Sequence, residues 1–267
     1  MEKGVSVSMA KLKKRVKAGK KLPTIKQFEL SDYWGGEQDR EDLPYYNDRN
    51  YSFDLTRFAV FNLFLFLGVL TPVFGSTSGI FSVFFRIVFS LILYISGYIY
   101  MFGGTWKNKF FKKPKDLLTI IIFLFLALVS GSVSFYLLNF ISDVDLLSVG
   151  EISSVSMLLT NILSVLFQVI GEELFAVGLF MGILIFGNRM MSLDRKPLII
   201  FSLMVSSLLF GLLHLPVYNY NLLQCLFVIG LTRLIMTVLF FMKRNIVYSY
   251  IVHVLYNIAI LVYAYYV

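Results

Sequence analysis

Long apolar runs dominate the chain from residue 57 onwards, and short polar breaks separate them. A helix needs about 20 apolar residues to cross a bilayer. By that measure the pattern predicts membrane-spanning helices at about 58–75, 80–102, 117–141, 152–187, 198–215, 221–242 and 245–267. We therefore expect an all-α, polytopic transmembrane helix bundle of about seven spans in residues 57–267. The fourth run is longer than one crossing requires, so it is interpreted as a long tilted helix or as a span joined to a re-entrant segment.

The polar breaks indicate how the chain is oriented. Lys and Arg occur in the breaks at 103–116, 188–197 and 243–244, whereas those at 76–79, 142–151 and 216–220 have neither. Because basic residues near span ends stay on the cytoplasmic side, this alternation predicts a cytoplasmic N-terminus and an outward C-terminus in a multi-pass protein of the cell membrane. It also favours a single crossing for the fourth run.

Residues 1–56 form a polar segment that begins basic and becomes acidic. No secretory signal precedes the first apolar run, so we expect a cytoplasmic tail that is partly disordered or lies on the membrane surface. A solvated tail is the main interpretation, and docking of a membrane-protein partner is the alternative.

The composition excludes several classes of protein, among them nucleic-acid-binding and disulfide-rich proteins. The 267 residues are 58% hydrophobic and 15% charged, a balance shifted strongly towards lipid. The net charge of +8 comes from the tail and short breaks, not from one folded face, so no nucleic-acid partner is expected. Cys225 is the single cysteine, which excludes a disulfide framework.

Four ionic side chains lie inside the apolar runs: Arg86, Glu172, Glu173 and Arg233. Charges in hydrocarbon are costly, and they usually face a bundle interior and mark a site. Adjacent carboxylates point about 100° apart on a helix, so one glutamate can face a cavity while the other forms an ion pair. The plainer alternative is that both glutamates serve only as salt-bridge partners for the two arginines.

The two histidines, His214 and His253, also lie in apolar runs. Phe210 and His214 are four residues apart, as are His253 and Asn257, which places each pair on one helix face. A buried carboxylate can act as a general base, histidine can share the proton transfer, and hydrogen-bond donors can stabilise an oxyanion. These groups suit hydrolysis by an activated water, since no Gly-x-Ser-x-Gly motif is present and Cys225 has no histidine near it in sequence.

Three motifs resemble those of the CAAX-protease and bacteriocin-processing (CPBP, or Abi) intramembrane proteases, and the similarity covers about residues 152–260. The matching segments are Gly171-Glu172-Glu173, Phe210-Gly-Leu-Leu-His214 and His253-Val-Leu-Tyr-Asn257. The resemblance implies an endopeptidase for hydrophobic or membrane-anchored peptides, working without a cofactor. It assigns Glu172 as the base that activates water, His214 as its assistant, and His253 with Asn257 as the oxyanion site. Family members include enzymes that trim prenylated proteins and bacterial proteins linked to bacteriocin immunity or peptide signals.

One position departs from the family pattern, because Val177 stands where the first motif has arginine. That arginine would lie one turn beyond Glu173, so Glu173 lacks its usual neutralising partner. We expect Arg233 to supply the charge from a neighbouring helix, with Arg86 as the second choice.

Three other functions remain open at this stage. Glu172, His214 and His253 could bind Zn²⁺, although the compact His-Glu-x-x-His motif is absent. The chain could be a degenerate family member that acts as a membrane scaffold or regulator, or a transporter with a buried proton relay. Counting helical rise from the basic breaks also places Glu172 and His214 about 24–27 Å deep but His253 only about 13–15 Å deep. Since one site requires similar depths, either the last helix extends less far into the cytoplasmic interface than its predicted range or the fourth run enters the membrane at an angle.

Overall fold

The computed structural model describes residues 54–71, 80–104, 106–141, 146, 152–191 and 193–266, and these residues contain helices and no strands. Expectations about the first 53 residues of the tail lie outside this part of the chain. The elements are α1 (Leu55–Leu70), α2 (Ile80–Phe102), α3 (Trp106–Phe110), α4 (Leu117–Ile141), α5 (Val155–Met190), α6 (Arg195–Leu212), a π-helical segment (Gln224–Gly230), α7 (Leu231–Lys243) and α8 (Ile246–Tyr266).

Every predicted run contains a helix, and the all-α membrane architecture is confirmed. Six helices in the described ranges are long and apolar enough to cross a membrane, with the π-helical segment and α7 counted together. α1 is apolar but shorter, at 16 residues. Large apolar side chains on α4 remain exposed, including Leu118, Phe125 and Phe140, as expected for a helix that faces lipid.

The fourth run is one continuous helix, α5, and it carries the first motif. It has 36 residues and begins at Ser154, whose side chain accepts a hydrogen bond from the backbone N–H of Met157. α5 packs against α1, α2, α6, α7 and α8. Most of its residues between Val169 and Gly187 are buried, so α5 is the central helix of the described bundle.

Two glycines let α1 approach α5 closely. A side chain at Gly178 would place its Cβ 2.8 Å from Leu65, and one at Gly182 would lie 3.0 Å from the Asn62 side chain. These two small residues, four apart on α5, therefore face α1. Such pairs permit membrane helices to approach each other closely.

The basic break before α4 is tied to the start of α8. Asn245 donates to the Lys112 carbonyl at 2.8 Å, while the Tyr248 hydroxyl accepts the backbone N–H of Lys115 at 2.8 Å and that of Asp116 at 3.0 Å. Lys243 forms an ion pair with Asp116 at 2.8 Å. Two of the basic breaks thus meet at one end of the bundle.

The end of the fifth run differs from the sequence-based expectation in a way that affects the site. The sequence predicts the fifth run at 198–215, but α6 covers Arg195–Leu212 and residues 213–220 form turns. Pro216 explains the difference, because a proline at this position lacks an N–H and its ring would clash with the carbonyl of Leu212 in a continued helix. His214 therefore lies just beyond the helix, not inside a span.

Candidate active site

Glu173 and Arg233 form a buried, two-pronged ion pair between α5 and α7. One guanidinium nitrogen, Nη1, contacts Oε1 of Glu173, and Nη2 donates to Oε2 at 3.1 Å. Glu173 is 0% exposed and Arg233 is 2% exposed. Arg233 Nε also donates to Thr237 at 3.3 Å. The expected contact between Arg233 and Glu173 is thus confirmed, and Arg233 supplies the charge that Val177 cannot.

His253 on α8 lies between the two carboxylates. Its Nδ1 is 2.8 Å from Oε1 of Glu173, and its Nε2 is 3.5 Å from Oε2 of Glu172. Glu173 is paired with Arg233 and is therefore ionised, so its oxygen accepts the bond and Nδ1 carries a proton. This contact fixes the orientation of the imidazole ring beside Glu172.

Glu172 is the accessible member of the glutamate pair, with a side chain 21% exposed. Its Oε1 accepts a hydrogen bond from the side-chain amide of Gln168 at 2.6 Å, and its Oε2 faces His253. The phenol groups of Tyr94 and Tyr218 interact electrostatically with the Glu172 carboxylate. One carboxylate is therefore buried and neutralised, while its neighbour can meet water.

Two tyrosines bind backbone carbonyls of α5 on either side of the glutamates. Tyr98 on α2 donates to the carbonyl of Leu174 at 2.8 Å, and Tyr250 on α8 donates to that of Leu166 at 3.0 Å. α5 is thus anchored to both neighbours close to the glutamate pair.

The turn after α6 places His214 with a defined tautomer. Its Nδ1 is 2.9 Å from the Phe210 carbonyl, which can only accept, so Nδ1 carries the proton and Nε2 has the lone pair in the neutral ring. The Phe210 ring is tilted by 42° against the His214 ring, with centroids 4.8 Å apart, and the Arg233 guanidinium lies 5.3 Å from the centroid of the Phe210 ring. The Tyr218 ring lies 6.4 Å from His214. Phe210 therefore connects the second motif to the ion pair.

Asn257 and Arg86 are the remaining residues singled out by sequence. Asn257 is half-buried on α8, one turn beyond His253, and no contact in the described part of the chain joins it to the glutamates. Arg86 lies on α2, and the described ion pairs of Glu173 involve Arg233 and His253 instead. The structure thus brings together Glu172, Glu173, Arg233 and His253, with His214 reached through Phe210.

Glu172 and His253 lie 3.5 Å apart, so the difference in depth counted from the basic breaks does not separate them. At about 1.5 Å per residue, the 36 residues of α5 span roughly 54 Å, much more than the ~30 Å of hydrocarbon in a bilayer. The ends of α5 therefore do not mark the membrane boundaries from which depth was counted.

The zinc alternative finds no support in the described ranges, where no group of three His, Cys, Asp or Glu side chains is arranged to hold a metal ion. His253 directs both ring nitrogens at carboxylates instead.

Sequence reasoning missed Gln168, Tyr98, Tyr218 and Tyr250. Of these, only Gln168 could have been predicted from the sequence, because it lies four residues before Glu172 and side chains four apart on a helix are neighbours. The tyrosines act from other helices and turns, so spacing along the chain does not reveal them.

Comparison with known proteins supports the resemblance found in the motifs. Residues 154–259 match the family described as type II CAAX prenyl endopeptidase Rce1-like. No curated protein and no solved structure matches the chain. The matched segment runs from the N-cap of α5 to two residues beyond Asn257 and so contains all three motifs. Residues 154–259 of this membrane protein are accordingly similar to the Rce1-like CAAX prenyl endopeptidase family.

Proposed function

We propose that the chain is an intramembrane endopeptidase in which Glu172 activates a water molecule to hydrolyse a peptide bond. One observation carries the proposal: of two adjacent glutamates, Glu173 is buried and paired with Arg233, whereas Glu172 is partly exposed beside His253.

In the proposed reaction Glu172 takes a proton from water as the water oxygen attacks the scissile carbonyl carbon. His214 assists through Nε2, whose lone pair is available because Nδ1 donates to Phe210. The oxyanion then collapses, the carbon–nitrogen bond breaks, and Glu172 returns its proton to the leaving amine. One water is consumed, and a carboxylate and an amine are produced.

Asn257 and His253 are proposed to stabilise the oxyanion. The Asn257 amide can donate from a position one turn beyond His253. Because Nδ1 of His253 already donates to Glu173, a second N–H at Nε2 requires the imidazolium form.

The proposed substrate is a hydrophobic or membrane-anchored peptide, since the site lies among helices that cross the membrane. The description of the matched family names CAAX prenyl endopeptidases, which makes a prenylated C-terminal peptide the first candidate. We place the basic breaks and the N-terminus on the cytoplasmic side of a cell membrane, with the C-terminus outside.

A degenerate scaffold is not favoured. Its main argument was the missing motif arginine, and Arg233 occupies the corresponding electrostatic role.

The test is to incubate purified protein with a panel of membrane peptides, prenylated and unprenylated, and to read products by mass. We expect cleavage by the wild type, insensitive to metal chelators, and none by Glu172→Ala. Cleavage by both proteins, or by neither under conditions in which the wild type is folded, overturns the proposal.

A further inference from the structure

Gln168 is a polar residue of the glutamate site that the family motifs do not include. Gln168 is exposed, whereas Glu173, Arg233 and His253 are buried. Its amide contacts the same carboxylate that the proposed function assigns as the base, at a distance of 2.6 Å.

The direction of this hydrogen bond follows from chemistry. An ionised carboxylate can only accept, so the amide nitrogen of Gln168 faces Glu172 and donates to Oε1. His253 Nε2 faces the other oxygen, Oε2, at 3.5 Å. The hydrogen bond from Gln168 thus restricts the rotation of the Glu172 carboxylate about its last side-chain bond.

The exposure of Gln168 also indicates the open side of the site. Glu173, Arg233 and Phe210 close the buried side, and the tight packing of α5 continues towards its C-terminal end. Residues of α5 before Val169 are mostly exposed or half-buried, and Ser164 and Gln168 lie on the same flank of the helix as Glu172. The part of α5 that carries Gln168 is therefore the less tightly packed side of the site.

We infer that Gln168 is a positioning residue for the reaction: its amide orients the Glu172 carboxylate towards the attacking water at the open side of the site. This inference rests on the proposed endopeptidase function. A plain helix-surface role would give the Gln–Glu contact only a few tenths of a kcal/mol of stability and no effect on turnover.

The test compares steady-state cleavage by wild type, Gln168→Met, Gln168→Glu and Ser164→Ala. Met keeps the length of the side chain without the donor, and Glu replaces the donor with a like charge. Ser164 lies one turn earlier on α5 and donates to the Thr160 carbonyl at 2.9 Å, so its variant is the matched control.

We expect kcat to fall about tenfold in Gln168→Met with KM unchanged, because a lost hydrogen bond to a charged group has about that effect. The kcat of Gln168→Glu should fall further, and that of Ser164→Ala should match the wild-type value. All four proteins should unfold at similar temperatures, since both positions border solvent or lipid. Equal kcat in Gln168→Met and Ser164→Ala overturns the inference, whereas an inactive wild type overturns the proposed function instead.

Discussion

Replacing Arg233 with leucine isolates the electrostatic role of the buried ion pair. Glu173 is 0% exposed and receives both guanidinium prongs, so the substitution leaves a carboxylate in the bundle interior with only His253 beside it. Breaking a buried pair in this way typically costs about 3–5 kcal/mol. Arg57 offers a matched control, because its ion pair with Asp54 is about half exposed at both side chains and contributes at most about 1 kcal/mol.

The assay is unfolding in mixed micelles, combined with peptide cleavage. We expect Arg233→Leu to lose about 3–5 kcal/mol of stability and to lose activity. Arg57→Ala should resemble the wild type. The double variant Glu173→Gln/Arg233→Leu should recover part of the stability, since no unpaired charge remains.

Adding Val177→Arg to Arg233→Leu provides a stricter test. Val177 is fully buried one turn beyond Glu173, where an arginine can reach the carboxylate once the Arg233 side chain has been removed. We expect this double variant to regain both stability and cleavage, while Val177→Arg alone loses stability by burying a second cation. If Arg233→Leu is as stable and active as Arg57→Ala, or if Arg86→Ala is the variant that fails, the assignment of the partner is refuted.

Three further outcomes test the fold around the site. The hydrogen bond from Lys243 holds the pKa of the Asp116 carboxyl well below its usual range. The ionised Asp116 therefore stabilises the folded protein fully above about pH 4, and this stabilisation is lost as the pH falls through the folded-state pKa. Unfolding temperatures should accordingly decline less on acidification in Asp116→Asn than in the wild type. Gly178→Leu should cost about 1–3 kcal/mol through the clash with α1, whereas Gly104→Ala, which meets open space, should not change the unfolding midpoint. Tyr250→Phe should cost about 1 kcal/mol in the same unfolding assay, and an unchanged midpoint would contradict its role in anchoring α5.

The sequence predicts the helices well because lipid imposes a strong pattern. α2 and α4 agree with their predicted ranges at both ends, since polar breaks flank them. The contact between Glu173 and Arg233 is also predictable, because a buried charge needs a partner and the apolar runs offer only two cations. Catalytic roles are different: the geometry places Glu172 and His253 together, but the assignment of base and oxyanion donor stays a prediction.

Other features escape sequence reasoning for physical reasons. Hydropathy barely changes at the end of α6, where Leu213, Leu215 and Val217 continue the apolar run, so only Pro216 marks the stop. Depth within the membrane fails as a guide because α5 is much longer than the bilayer is thick. The π-helical segment has no residue pattern that distinguishes it from an α-helix; it lies where the Cys225 carbonyl meets Gly211, which leaves no room for a Cβ there. Such a contact depends on tertiary packing.

The most direct test of the account is the single-turnover cleavage rate of Glu172→Gln against the wild type, measured by mass on one membrane peptide. The variant keeps the size of the side chain and the nearby ion pair but cannot accept a proton from water. General-base catalysis contributes about 10²–10⁴-fold, so we predict a loss of at least about a hundredfold in a protein that unfolds like the wild type. Cleavage within a few-fold of the wild-type rate would contradict the claim that Glu172 activates the water.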